Sequence, residues 1–344
     1  MQLSRFPRRR YTEGLTPLER LPRLSEYLGG PTIWAKRDDL TGLAGGGNKT
    51  RKLEFLVAEA LAHGADTLVT TGAVQSNHCR LTAAAAAKEG LACRLLIEER
   101  IPGSYDPAAS GNNFLFGLLG VEKIEVVAGG TDLAAGLKRM AADLEAEGRT
   151  AYVIPGGGSN TLGSLGYVAC AQELLQQAFD QGVAFDHMVV ASGSGGTHSG
   201  VVAGLVAMNA NLPVTGISVR ADKAAQEAKI LAHAKETAAA IGSNNEVTAE
   251  HISVEDGYVG KGYAYPTDAM VEAVELFARL EAILLDPVYT GKAAAGLIDL
   301  VRKGRYGRND DVVFLHTGGA PGLYAYEELF RGEPEQLHAD TGGR

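Results

Sequence analysis

Gly45-Gly46-Gly47-Asn48-Lys49-Thr50-Arg51-Lys52 is the stretch from which the rest of the chain is read. Three glycines strip the backbone of Cβ atoms, so another group can approach the main chain closely. Behind them Leu53, Leu56, Val57, Ala60 and Leu61 recur at helical spacing and predict one apolar helix face. Asn48 is placed to cap that helix, which sets Lys49 and Lys52 at its mouth. A lysine in a confined site, its pKa lowered by desolvation, can attack a carbonyl and form a Schiff base. The same residues also suit an ordinary glycine turn with solvated lysines, and the choice rests on what the chain brings to them.

Working outward, strands predicted at 32–36, 67–71, 93–97, 123–127, 151–154, 187–191, 214–219 and 312–315 alternate with helical patterns. The helices are expected at 81–89, 112–119, 133–147, 162–177, 201–208, 224–241, 267–280 and 293–302. Alternation at these lengths implies βαβ units and mostly parallel sheets. Several strands end in loops of small polar residues, where ligands of open α/β sheets bind. A second glycine block, Pro155-Gly156-Gly157-Gly158-Ser159-Asn160, reads either as a junction between two lobes or as a surface turn.

The net charge of −9 over 344 residues argues against a general affinity for nucleic acid. No run approaches the roughly 18 uninterrupted apolar residues of a membrane span. Residues 1–11 are basic without an apolar core, unlike a signal peptide. Cys79, Cys93 and Cys170 form no C-x-x-C pair and suggest a reducing compartment, so a soluble cytoplasmic protein is expected. His78, His198 and His316 lack metal-ligand spacing, and no metal site is assigned.

The loop 192–200 joins a strand to a helix, and its backbone N–H groups suit a phosphate dianion, with hydroxyls from Ser194 and Thr197. A dinucleotide fingerprint is disfavoured, because His198 stands where the last glycine of G-x-G-x-x-G belongs. Gln75-Ser76-Asn77-His78 gathers amide, hydroxyl and imidazole groups at a strand end, which suits carboxylate binding and proton handling, or a hydrogen-bonded turn. Tyr258, Tyr263, Tyr265 and Tyr289 fit the commoner role of packed tyrosines with a bonded hydroxyl.

Four motifs carry a resemblance that spans nearly the whole chain: G-G-N-K-T-R-K-L-E at 46–54, Q-S-N-H at 75–78, G-S-G-G-T-H at 193–198 and L-D-P-V-Y-T-G-K at 285–292. With them the chain resembles the fold-type II pyridoxal-phosphate enzymes, in particular the aminocyclopropane-carboxylate deaminase and D-cysteine desulfhydrase family. The resemblance implies an α/β chain of two lobes with open, mostly parallel sheets flanked by helices. Residues 1–48 and 161–336 would form a large cofactor-binding lobe and 49–160 a small one, with 337–344 a flexible tail.

It also implies pyridoxal 5′-phosphate as cofactor, a small amino-acid substrate and a homodimer. Lys49 resembles the lysine that holds the cofactor covalently, and Asn77 the asparagine bonded to the pyridine hydroxyl. Gly193, Ser194, Gly195, Gly196 and Thr197 resemble the phosphate cup, with Lys52 nearby, and Thr317 would also bind the cofactor. Ser76, Gln75 and His78 would face the substrate, and Tyr263 and Tyr289 resemble active-site tyrosines. The deaminases that open a cyclopropane ring carry glutamate one residue after the Tyr289 equivalent, where this chain has Thr290. A hydroxyl facing the pyridine nitrogen makes a weaker electron sink, which suits loss of a good leaving group from Cβ. Residues 96–105 and 109–114 look closest to the L-cysteate sulfo-lyases within the family. That implies α,β-elimination of sulfite from L-cysteate, with D-cysteine desulfhydration as the alternative and a non-catalytic phospho-ligand binder as a different class. His78, Arg80 and Arg100 are the candidate sulfonate donors.

Overall fold

The computed structural model describes residues 1–331; the expected tail 337–344 lies outside the described residues. The chain runs β1 (Leu18–Arg20), α1 (Pro22–Leu28), β2 (Thr32–Arg37), α2 (Lys49–Ala62), β3 (Thr67–Ala73), α3 (Asn77–Glu89) and β4 (Ala92–Glu99). It continues through α4 (Asn112–Leu118), β5 (Lys123–Ala128), α5 (Leu133–Ala146), β6 (Ala151–Ile154), α6 (Thr161–Gln181), β7 (His187–Ser192) and α7 (Gly196–Ala207). The last part comprises β8 (Val214–Ser218), α8 (Lys223–Ala240), β9 (Ser253–Glu255), α9 (Asp268–Glu281), α10 (Thr290–Arg302), β10 (Asp311–His316) and the short α11 (Ala320–Leu323).

Two sheets form. One has the order β1-β2-β10-β7-β8-β9 and the other β5-β4-β3-β6. Among the described residues only β1 runs antiparallel to its neighbour; the other pairings are parallel. The central strands of the larger sheet, Val312–Leu315 and Met188–Val190, are apolar and buried because helices cover both faces. A parallel strand cannot turn straight back, so each one delivers its C-terminal loop to the same end of the sheet. The strand ends at Ala73, Ile154, Ser192 and His316 therefore open onto one cleft.

Some element bounds differ from the sequence reading, and each difference moves a site residue. Helix α3 starts at Asn77, because Ser76 caps it by accepting the Cys79 N–H at 3.1 Å, so Asn77 and His78 occupy a first helical turn rather than a loop. Helix α7 begins at Gly196 and α10 at Thr290, which shortens the glycine turn to 193–195 and makes Thr290 helical. Helix α1 and strands β1 and β9 were not anticipated: all three are too short to show a period.

Candidate active site

Lys49 opens α2, and a buried ionic cluster fixes that helix from below. Asp38, at the end of β2, accepts Arg51 Nε at 2.7 Å and Nη2 at 2.8 Å, the Tyr167 hydroxyl at 2.7 Å and Thr16 Oγ1 at 2.8 Å. Arg51 also reaches Glu173 with both terminal nitrogens at 2.9 Å, and Lys36 joins Glu173 from β2. Burial would raise the Asp38 pKa, but the Arg51 and Lys36 cations overrule it and hold the carboxyl down to about 2.

Asn48 does not cap α2. Its backbone is already helical, and its side chain bridges two elements instead: Nδ2 donates to Thr197 Oγ1 at 2.9 Å, while Oδ1 accepts from Lys49 Nζ at 2.9 Å. Burial pushes the Lys49 ammonium down to about 8, opposed by the Asp286 carboxylate and assisted by the Arg80 guanidinium. Lys49 lines a cavity of about 640 Å³ between the sheets, together with Ser76, Asn77, His78, Gly193–Gly195, Thr197, Tyr263, Tyr289 and Thr317.

At one end of the cavity lies the glycine turn before α7. Gly195 has φ +106°, and a Cβ on Gly196 would fall 2.9 Å from Lys52 Nζ and 2.8 Å from Ser159 Oγ. Ser159 accepts the Gly196 N–H at 3.1 Å and meets Ser194 Oγ at 2.7 Å. Lys52 is fully buried, yet among the described residues its Nζ donates only to the Gly157 carbonyl and Ser159 Oγ, both at 3.1 Å. Burial, then the charge of Lys49, pushes its pKa well down. An amine with neutral acceptors only, at the N-terminus of a twelve-residue helix, is completed by an anion.

Another part of the wall comes from α3. With its N–H acceptor role filled by Cys79, Ser76 keeps its own proton to donate. Thr70 donates to the Ile154 carbonyl at 2.8 Å, so the 2.8 Å contact with His78 makes His78 Nε2 the donor and leaves Nδ1 unpartnered. Burial and the Lys49 and Lys52 charges hold His78 neutral. Asn77 Oδ1 accepts from Asn112 at 2.9 Å, which orients its amide.

Two anticipated residues face elsewhere. The Gln75 amide is taken up by the Asn112 N–H at 2.8 Å and the Ser110 carbonyl at 3.0 Å, and Gln75 stands outside the lining of the Lys49 cavity. The Arg80 guanidinium binds Asn112 Oδ1 at 2.7 Å and the Ala44 and Gly46 carbonyls, so it clamps the glycine run and is not free for a substrate sulfonate.

Tyr263 and Tyr289 meet hydroxyl to hydroxyl at 2.5 Å, with Arg100 stacked 4.3 Å over the Tyr263 ring and paired to Glu98 at 2.6 Å. Thr290 is fully buried, and its hydroxyl donates to Asp286 Oδ1 at 2.8 Å. Asp286 also accepts the N–H groups of Val288, Tyr289 and Thr290, which together oppose the rise that burial imposes on its pKa. Asp286, Ser159 and the bridging role of Asn48 were missed from the sequence. The Asp-Pro dipeptide ahead of a helical pattern is the signal that pointed to Asp286.

Among the described residues no group of His, Cys, Asp and Glu is arranged to hold a metal, and no helix is long and apolar enough to cross a membrane.

An aldehyde that carries a phosphate ester answers both ends of this cavity, its carbonyl for the Lys49 amine and its dianion for Lys52 and the α7 turn. Pyridoxal phosphate is such a molecule, and the cavity defines the class of enzyme that uses it. Residues 9–318 match the family model described as pyridoxal-phosphate dependent enzyme, and the chain belongs to this family, with pyridoxal phosphate as its cofactor.

Within it the chain is 48% identical over 326 residues to the D-cysteine desulfhydrases of Salmonella typhimurium and Salmonella typhi, covering 94% of this chain and 97% of theirs. A crystal structure of an ACC deaminase homologue superposes with a TM-score of 0.87 at 38% identity, over 95% of this chain and 97% of that one. The structure of an O-ureido-L-serine synthase mutant with O-ureido-L-serine bound, at 19% identity and a TM-score of 0.63, shares the fold over 97% and 98% of the two chains.

Proposed function

We propose that the protein is a carbon–sulfur lyase that converts D-cysteine and one water to sulfide, pyruvate and ammonia. The 48% identity to D-cysteine desulfhydrases over 94% of the chain supports this reading. The observation that carries the chemistry is the placement of Lys49 Nζ in a cavity whose other walls are the phosphate-accepting turn and the tyrosine pair.

Lys49 is the residue that would hold the cofactor, with Lys52, Ser194, the Gly193–Gly196 backbone and Thr197 on its phosphate and Asn77 beside the ring. Bound there, the cofactor supplies the electron sink that makes the substrate Cα–H acidic. Everything else falls to the chain's own groups. Ser76 and the free N–H groups at the start of α3 bind the substrate carboxylate. Lys49 Nζ, when its amine is free, would take the Cα proton; an amine lowered to about 8 is suited to this near neutral pH. Tyr263 and Tyr289 are hydrogen-bonded hydroxyl to hydroxyl at 2.5 Å, and the accepting phenol keeps its own proton, which is placed to be donated to the departing sulfur. Residues 49–160 would move as a small lobe that shuts water out. A cytoplasmic homodimer completes the proposal, and sedimentation of the purified protein reads the assembly.

L-cysteate is the second reading, favoured by the Arg100 guanidinium in the cavity lining and by the likeness of residues 96–105 to L-cysteate sulfo-lyases. It ranks second because Glu98 already neutralises Arg100 at 2.6 Å. Assay of both products from each enantiomer decides between them. Sulfide from D-cysteine is expected, sulfite from L-cysteate would promote the second reading, and neither product from any of them would overturn both.

A further inference from the structure

Lys292 is fully buried on α10, away from the Lys49 cavity lining, yet it is charged chemistry the mechanism does not use. Its ammonium donates to two main-chain carbonyls, Val259 O at 2.7 Å and Gly262 O at 2.9 Å. Burial alone acts on its pKa, which is pushed down to about 8, and no carboxylate opposes. Among the described residues no carboxylate pairs with this buried cation, so the two carbonyl hydrogen bonds alone offset its desolvation.

What it organises is visible in the chain order. Gly262 immediately precedes Tyr263, while Tyr289 and Thr290 lead into the same helical turn that carries Lys292. The loop between β9 and α9 has little regular structure to hold it: Gly260, Gly262 and Ala264 have φ of +67°, +148° and +65°. Tyr258 ties the loop to α10 once, through Asp299 at 2.5 Å, and Lys292 ties it again beside Tyr263.

We propose that Lys292 is a positioning residue for the reaction: its ammonium gathers the 259–262 carbonyls onto α10 and thereby sets the 2.5 Å spacing of the Tyr263–Tyr289 pair. The ion does for this loop what a bound potassium ion does for a ring of carbonyls, but it is built into the chain. The inference rests on the lyase reading above for its catalytic consequence, and on geometry alone for the loop.

The test uses the cofactor-loaded enzyme with Lys292→Met and Lys292→Ala. Leaving the half-buried Val259 and Gly262 carbonyls without their donor is expected to lower kcat about 10- to 100-fold, with the substrate KM moving less than threefold and the cofactor's visible absorbance unchanged. Hydrogen exchange in residues 257–265 should quicken at least about tenfold in both variants, whatever their turnover. In Lys292→Ala, n-propylammonium fits the volume of the missing atoms and should restore both kcat and protection, with no gain for the unaltered enzyme. If Lys292→Met does not yield folded protein, Lys292→Gln, which keeps a donor, takes its place. Unchanged exchange in the loop together with kcat within threefold of the parent overturns the proposal. A parent enzyme that turns over neither cysteine nor cysteate refutes the lyase reading, and the loop exchange still decides the role of Lys292.

Discussion

Two glycine turns in this molecule each lead a strand end into a helix, and they serve opposite purposes. In the run before α2 the middle glycine is pressed against backbone: Gly46 has φ +67°, and a Cβ there would lie 1.7 Å from the Asp39 carbonyl oxygen. In the turn before α7 a Cβ on Gly196 would first meet the Ser159 hydroxyl and the Lys52 amine, with the nearest backbone atom, Ser159 Cα, at 3.0 Å. The first turn folds the chain tightly enough to aim Lys49 into the cavity. The second leaves a gap between N–H groups and a buried cation. Both turns are built from glycine, and only the neighbours assign the task.

Lys49→Ala should sharpen the contrast most. Turnover is expected to fall by ~10³-fold or more, with loss of the covalently bound chromophore but retention of fold, read by activity and circular dichroism. Arg51→Met acts beneath the same turn. It strands the Asp38 carboxylate and should cost about 3–5 kcal/mol in denaturant unfolding. The Asp38 pKa lies near 2 in the folded protein against an ordinary 3.8, so its stabilisation is full above 3.8 and is lost as pH falls through about 2. Without Arg51 the largest opposition to burial is lost while Lys36 and the Tyr167 hydroxyl remain, so that pKa rises and acid unfolding should begin at a higher pH.

The glycines themselves come next. Gly46→Ala meets both a strained φ and a carbonyl, and should destabilise by about 2–4 kcal/mol. Gly196→Ala sits in helical backbone and should change stability by about 1 kcal/mol or less, while weakening pyridoxal-phosphate affinity roughly 10- to 100-fold. Equal losses of stability in the two would erase the distinction between the turns. The smallest effect concerns pH. Lys49 must be neutral to react and has a pKa near 8, so loading of the apoprotein should quicken about tenfold per unit as pH rises toward 8, then level off.

The alternation of strands and helices was readable because parallel strands are continuous apolar runs and their helices keep a 3.6-residue period. The cavity floor was readable in part, since Lys49, Gly193–Thr197 and Ser76-Asn77-His78 stand at strand ends, where α/β sheets bind ligands. What escaped were relations across the sequence. Nothing local says that Asn48 reaches Thr197, that Lys52 lacks a carboxylate, or that Gln75 and Arg80 are spent on the 110–112 loop and the glycine run. Thr290 looked ready to face a ring nitrogen, but its hydroxyl turns to Asp286, four residues before it. The choice between sulfide and sulfite depends on Arg100, whose partners are Glu98 beside it and Tyr263 from a loop more than a hundred residues away.

Reduction of the loaded enzyme with borohydride, followed by proteolysis and mass spectrometry, bears most directly on the lysine at the centre of the site. A pyridoxyl adduct is expected on the peptide at Lys49 alone. An adduct on Lys52 or any other side chain, or none at all, contradicts it.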